Sequence, residues 1–221
     1  MAVRASLVAG GVLAAAVLAG VAVYGSGSSP GNVAGLRHVA GLAAPTPCAE
    51  AAPVSARLAP LARGEVAAFE AYPVPRPSPA IAFTGPDGAT IDLAALRGRT
   101  LLVNLWATWC APCKAEMPAL DRLQADLGGD AFQVVAINVE TRNLDKPPAW
   151  LKANGIAALS YYGDPAGGVL PVLQTATGSP GLPTTLLVDS RGCALGAMKG
   201  PADWVSPDAQ RLIRAAIGAG A

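Results

Sequence analysis

Residues 5–24, ASLVAGGVLAAAVLAGVAVY, form an apolar run without a single charge, preceded by Arg4. Its length matches the roughly 20 residues a helix needs to cross the hydrocarbon core of a bilayer. It exceeds the roughly 7–15 apolar residues of a cleaved signal core. Arg4 favours an N-terminus retained in the cytoplasm. The pattern predicts a single-pass signal anchor over 1–24, with everything after Tyr24 exported. Cleavage among the small residues of Ala14 to Gly20 is the alternative. GSGSSPGN follows, a flexible tether by composition, and opens a linker spanning 25–47.

Beyond the linker the pattern changes to short alternating elements. CAEAAPVSARLAPLARGEVAAFE, residues 48–70, is Ala-rich with Pro53 and Pro60 inside it, which predicts short helical pieces. YPVPRPSP, Tyr72 to Pro79, predicts an extended Pro-rich segment, and the two together make an N-terminal extension over 48–79. IAFTGPDGATIDL places Pro86-Asp87-Gly88 between two apolar runs, the mark of a β-hairpin. Leu93 to Leu96 predicts a turn of helix ended by Gly98. LLVNLW and FQVVAINVE are apolar enough to be buried strands, and ALSYYGD predicts a third. The cysteines at 110 and 113 open a helix that runs through KAEMPALDRLQADL, is kinked by Pro118 and is stopped by Gly128-Gly129. PPAWLKANG and residues 166–176 predict two more helices, TTLLVDSRGCALGAMKG a closing hairpin, and DAQRLIRAAIG a last amphipathic helix behind Ser206-Pro207. Strands alternating with helices, closed by an antiparallel hairpin, imply an α/β domain over 80–221. It has a central mixed β-sheet flanked by helices and an N-terminal β-hairpin extension.

Composition narrows the function. Charged residues are 14% of the chain and the net charge is +1, with no basic block, so a nucleic-acid partner has no electrostatic footprint. One histidine, His38, excludes a catalytic zinc site built on two or three of them.

The chemistry-bearing stretch is LLVNLWATWCAPCK, residues 101–114. A Cys-x-x-Cys at a helix start places the first sulfur beside unpaired backbone N–H groups and the positive end of the helix dipole, which favours the thiolate. Such cysteines reach a pKa of about 7 or lower, against about 8.5 for a free thiol. Cys110 is the candidate nucleophile. Cys113, one turn inward, is the candidate resolving thiol that attacks a mixed disulfide. Zinc would need a second close pair, and Cys48 and Cys193 stand apart. Paired thiols also bind Cu(I), so a copper carrier remains as a non-enzymatic alternative. A purely structural bridge between near neighbours closes too short a loop to stabilise much. In an exported domain the leftover even pair, Cys48 and Cys193, is expected to bridge.

LLVNLWATWCAPCKAEMPAL resembles the active-site segment of the thioredoxin superfamily, specifically the TlpA/ResA/CcmG branch of membrane-anchored periplasmic thiol–disulfide oxidoreductases. The similarity extends through PDGATIDLAALRG before the motif and VVAINVETR and GLPTTLLVDSRGC after it, covering roughly residues 80–217. The resemblance implies a thioredoxin-like fold. Cys110 and Cys113 are the redox pair, with no cofactor beyond their disulfide and no metal. Cys48–Cys193 becomes a structural disulfide. Pro183, in GLPTT, matches a cis-proline facing the pair, the alternative being a plain turn proline. Trp109 matches an active-site aromatic, the alternative being a residue that packs the helix start. Glu116 matches an acidic group that assists proton transfer at the buried thiol, the alternative being a first-turn carboxylate favoured by the helix dipole. Thioredoxin itself has a buried Asp six residues before its first cysteine; here that place is Asn104, which cannot take a proton. The implied activity is protein-disulfide reduction, with disulfide formation as the alternative direction. The implied partners are a membrane electron donor of the DsbD or CcdA type and disulfide-bearing proteins of cytochrome assembly. These are apocytochrome c or the copper-site assembly proteins of haem–copper oxidase.

Overall fold

The computed structural model describes residues 47–218. The expected anchor and nearly all of the linker lie outside them. Among the described residues no helix is long and apolar enough to cross a membrane.

The sheet is organised around β4, Thr100–Trp106, in which every residue is buried. Side chains alternate between faces along a strand, so an unbroken buried run means that both faces are covered. On one side β4 pairs in parallel with β5, Phe132–Asn138. On the other it pairs antiparallel with β7, Thr184–Val188, the first strand of the closing hairpin. β8, Cys193–Lys199, completes that hairpin. Beyond β5 lie β6, Tyr162–Gly163, and the hairpin of β2, Ala82–Thr84, with β3, Thr90–Asp92. The third expected strand is only two residues long because β2 meets it at one position, Thr84 against Gly163, and the chain then turns away. The first hairpin is therefore the far edge of the same sheet, not an appendage.

The Pro-rich segment departs from expectation. Phe69–Pro77 is strand β1, paired antiparallel with β8 at the opposite edge. Pro73, Pro75 and Pro77 are tolerated because an edge strand needs a partner on one side only, and the register shifts between Ala71 and Arg76. Glycine permits the approach: a Cβ on Gly196 would stand 2.5 Å from Phe69 Cζ and 2.6 Å from the Glu70 carbonyl oxygen. The eight strands run in the order β1-β8-β7-β4-β5-β6-β2-β3. The boundary expected between 79 and 80 thus falls inside one sheet.

Five α-helices and several 3₁₀ turns complete the described residues. α1, Ala52–Leu58, packs on β1 and on α5, Pro207–Ile217. α2, Ala111–Leu127, is continuous through Pro118. It buries Cys113, Glu116, Met117, Leu120 and Leu123, spacings of three, one, three and three that trace one helical stripe. Each fully buried leucine there contributes about 1.5–3 kcal/mol. α3, Lys146–Ala153, and α4, Val169–Thr177, are the connections around β6, α4 ending on Gly178 in the left-handed conformation.

Candidate active site

The parallel pairing of β4 and β5 places their C-terminal ends side by side, with Trp106 opposite Asn138. β7 runs the other way, and Leu105 faces Thr184, so Pro183 lies at that same end. Three loops converge there: 107–110 after β4, 139–143 after β5 and 179–183 before β7. Such an edge, outside the carboxyl ends of parallel strands, is where open α/β sheets carry their chemistry.

Cys110 occupies the N-cap of α2 in extended backbone conformation (φ −88°, ψ 101°). Its sulfur accepts a hydrogen bond from the Cys113 amide at 3.3 Å, one of the orphan N–H groups of a helix start. Pro112, within the first turn, gives up an N–H that would have had no partner. Cys113 is fully buried, Cys110 nearly so, and the two are joined as a disulfide. Trp109 is 67% exposed, which removes the alternative of a residue packing the helix start. It lines a groove of about 330 Å³ with Val139, Glu140, Thr141, Arg142 and Asn143. The Leu182–Pro183 peptide is cis, and the Pro183 carbonyl accepts from the Gly200 amide at 3.0 Å. Thr184 Oγ1 ties the preceding loop to Ser179 and Gly181.

Glu116 is not an ordinary first-turn carboxylate. It is 3% exposed and points under the helix into a shell of donors. Asn104 Nδ2 donates to its Oε1 at 2.7 Å, while the Ala202 amide and the Trp204 indole N–H donate to Oε2 at 3.1 and 3.3 Å. Burial pushes its carboxyl up to about 7; these three hydrogen bonds, which favour the charged form, hold it from going higher. Asn104 also donates to Thr185 Oγ1 at 3.0 Å, and its Oδ1 has no partner. An amide donates to a carboxylate and, turned about its last bond, accepts from the acid, so Asn104 serves either protonation state of Glu116. Three residues before Glu116 on the same helix is Cys113, a spacing at which side chains are neighbours. The residue that replaces the buried Asp is thus bonded to the carboxylate one helical turn past Cys113.

A second carboxylate escapes the sequence reading. Glu140 accepts from the Thr108 amide at 2.9 Å, from Thr108 Oγ1 at 2.8 Å and from Asn138 Nδ2 at 3.1 Å. It clamps the backbone two residues before Cys110. Its signal was available: a carboxylate closing the apolar strand VVAINVE. Trp204 and Ala202 carried no comparable signal, because they reach Glu116 from 88 and 86 residues away.

The last two cysteines, Cys48 and Cys193, are joined as a disulfide across a sequence separation of 145. Cys193 belongs to β8, and its amide donates to Asp189 Oδ1 at 2.8 Å. Arg191 pairs with Asp189 and with Glu50 beside it. Among the described residues no group of three or more histidine, cysteine and acidic side chains is placed to hold a metal ion.

Comparison with known proteins agrees with this geometry. The model of the AhpC/TSA family matches residues 75–194. The thiol-disulfide oxidoreductase ResA of Oceanobacillus iheyensis is 40% identical over 58 residues, 26% of this chain and 30% of that protein. The thiol:disulfide interchange protein DsbE of Yersinia pestis is 35% identical over 106 residues, 48% of this chain and 52% of that protein. The chain thus spans 30% of the length of the first of these relatives and 52% of the second. Among solved structures, a thiol:disulfide interchange protein of the thioredoxin family from Chlorobium tepidum superposes with a TM-score of 0.52 at 27% identity, covering 65% of this chain and 97% of that one.

Proposed function

Because this chain belongs to the AhpC/TSA family and carries its cysteine pair at a helix start, we propose that it is a thiol–disulfide oxidoreductase that reduces protein disulfides. The observation that carries this reading is the Cys110 sulfur at the N-cap of α2, accepting the Cys113 amide, beside a fully buried partner thiol. The same donor stabilises a thiolate once the pair is reduced.

The exchange runs in two steps. The Cys110 thiolate attacks one sulfur of a target disulfide, forming the mixed disulfide and releasing the other target sulfur as a thiolate. The Cys113 thiolate then attacks the Cys110 sulfur, forming Cys110–Cys113 and releasing the second target sulfur. Two electrons pass to the target. Glu116 takes the Cys113 proton as that thiolate forms. Pro183 and the exposed Trp109 flank the site where target backbone lies. The redox centre is the cysteine pair itself, without a further cofactor.

The finer reading is a TlpA-like protein anchored in the cytoplasmic membrane by residues 5–24, its catalytic domain in the periplasm. A DsbD- or CcdA-type donor would restore its dithiol, and its targets would be apocytochrome c or the copper-site assembly proteins of haem–copper oxidase. Support comes from the apolar run, the relatives' names and the motif.

The test is trapping. Cys113→Ser is expected to accumulate covalent partners on Cys110, released by reductant. Absence of any trapped partner overturns the role assignment. A redox potential near that of strong dithiol oxidants would reverse the direction. Tight stoichiometric Cu(I) binding without disulfide reduction would replace the enzyme by a carrier.

A further inference from the structure

A crevice of about 240 Å³ opens between α2 and the loop after β8, lined by Ala115, Glu116, Ala119, Pro201, Ala202 and Asp203. It reaches the buried Glu116 from a side formed without Trp109 or Pro183. Its mouth carries Asp203, an exposed carboxylate whose Oδ1 accepts the Val205 amide at 3.1 Å. We infer that this crevice is the route by which Glu116 exchanges its proton with solvent, with Asp203 as the group that passes the proton at the mouth. The inference rests on the proposed role of Glu116 and extends it.

The geometry favours a route apart from the active-site face. While a target covers Cys110, Trp109 and Pro183, the active-site face is closed to water. Cys113 resolves while the target is still attached to Cys110, and Glu116 can take the Cys113 proton only once it has given up any proton of its own. A carboxylate held by donors on three sides has little contact with water except along the crevice. The groups that face Glu116 are few. The strands supply Asn104, and through it Thr185; the loop after β8 supplies the Ala202 amide, the Trp204 indole and Asp203; its own helix supplies Cys113. No lysine or arginine among the described residues forms an ion pair with it. The step balances: the Cys113 proton moves to the Glu116 carboxylate, then to crevice water and Asp203, then to buffer, with no electron transferred on this path. Asp203 acts through Glu116 and not on the sulfurs.

The test uses the full-length reduced protein in mild detergent with Ellman's reagent. It releases one chromophore when Cys110 attacks and a second when Cys113 resolves. Asp203→Asn, which keeps an acceptor for Val205, is expected to slow the second release about tenfold in weak buffer near neutral pH. Added formate or imidazole restores it, because a small buffer enters the crevice. Ala119→Leu, which fills the crevice, is expected to slow the second release without rescue, the first release being unchanged. Ala119→Val replaces it if near-ultraviolet dichroism shows the larger variant misfolded. Wild-type second-release rates for both variants in every buffer, or equal rescue of both, overturn the crevice as the route. Glu116→Gln separates the two readings: slowed alone, it leaves the role of Glu116 intact; unchanged, it removes that role as well.

Discussion

The two disulfides differ less in their sulfurs than in what surrounds them. Cys48 and Cys110 each stand at the N-cap of a helical segment, yet only the Cys110 sulfur accepts an N–H from its own helix. Cys48 precedes a three-residue 3₁₀ turn, whereas Cys110 precedes a helix of 17 residues. Their loops differ as well. Closing 145 residues removes about 5 kcal/mol of chain entropy from the unfolded state, and closing three removes about 2. One bond ties Cys48, ahead of α1, to the start of β8, at the end of the sheet opposite Pro183. The other braces little and sits where three loops, an exposed tryptophan and a buried carboxylate meet. A disulfide is structural or catalytic by its setting: loop length decides what it stabilises, and the donors at the sulfur decide whether it reacts.

The sharpest way to break this comparison is to remove one sulfur from each bond. Cys110→Ser is expected to lower disulfide-reducing activity on the order of a thousandfold or more, since the nucleophile is gone. Its stability in denaturant should fall by no more than the about 2 kcal/mol that the short loop supplies. The paired substitution Cys48→Ser with Cys193→Ser should do the opposite. Stability falls by about 3–5 kcal/mol in urea unfolding, while turnover of the folded fraction stays within about threefold of wild type. Activity lost with the outer pair, or stability lost with Cys110 well beyond about 2 kcal/mol, would mean that the two settings are coupled.

Glu116→Gln sharpens the comparison at the reactive bond. Resolution of the mixed disulfide is expected to slow about a hundredfold, read from stopped-flow kinetics. Stability carries a second signature. The Glu116 carboxyl is raised by burial from 4.5 to about 7 in the folded protein, so between those values the folded state binds more protons than the unfolded one. Its contribution is complete below about 4.5 and is lost as pH rises through about 7. Wild type should therefore lose on the order of 3 kcal/mol across that window, and Glu116→Gln should flatten the slope. The smallest effect belongs to Trp109→Ala. With its ring in solvent, stability should stay within about 0.5 kcal/mol, while KM for a protein disulfide rises about threefold to tenfold at nearly constant kcat.

Much of the architecture was legible in the pattern. β4 and β5 announced themselves as apolar runs, the hairpins by their turn residues, and α2 by its cysteines and the stripe from Met117 to Leu123. What misled was local chemistry read without its partner. Three prolines between Tyr72 and Pro77 argue against a strand until Gly196, 120 residues on, is seen to admit one at the edge. The same holds at the site. Cys110 and Cys113 were named by their spacing, Cys48 and Cys193 as the leftover pair, and Trp109, Pro183 and Glu116 by the family resemblance. Asn104 was recognised as a departure, but that it bonds Glu116 is a property of β4 lying beneath α2. Glu140 looked like the polar end of a strand, and nothing local to residues 108 and 140 shows that one clamps the other.

The sequence by itself pointed to the reaction class proposed here, because the cysteine spacing, the intervening proline and the helix behind them are contiguous in the chain and lie within one helical turn. It also determined the sheet's central strands, whose burial is written in their apolarity. Tertiary structure alone decided which carboxylate is buried, which N–H groups hold it near a pKa of about 7, and where a crevice reaches it. Those properties depend on desolvation and on donors brought together from strands and loops up to 88 residues apart, and neither quantity exists until the chain has packed.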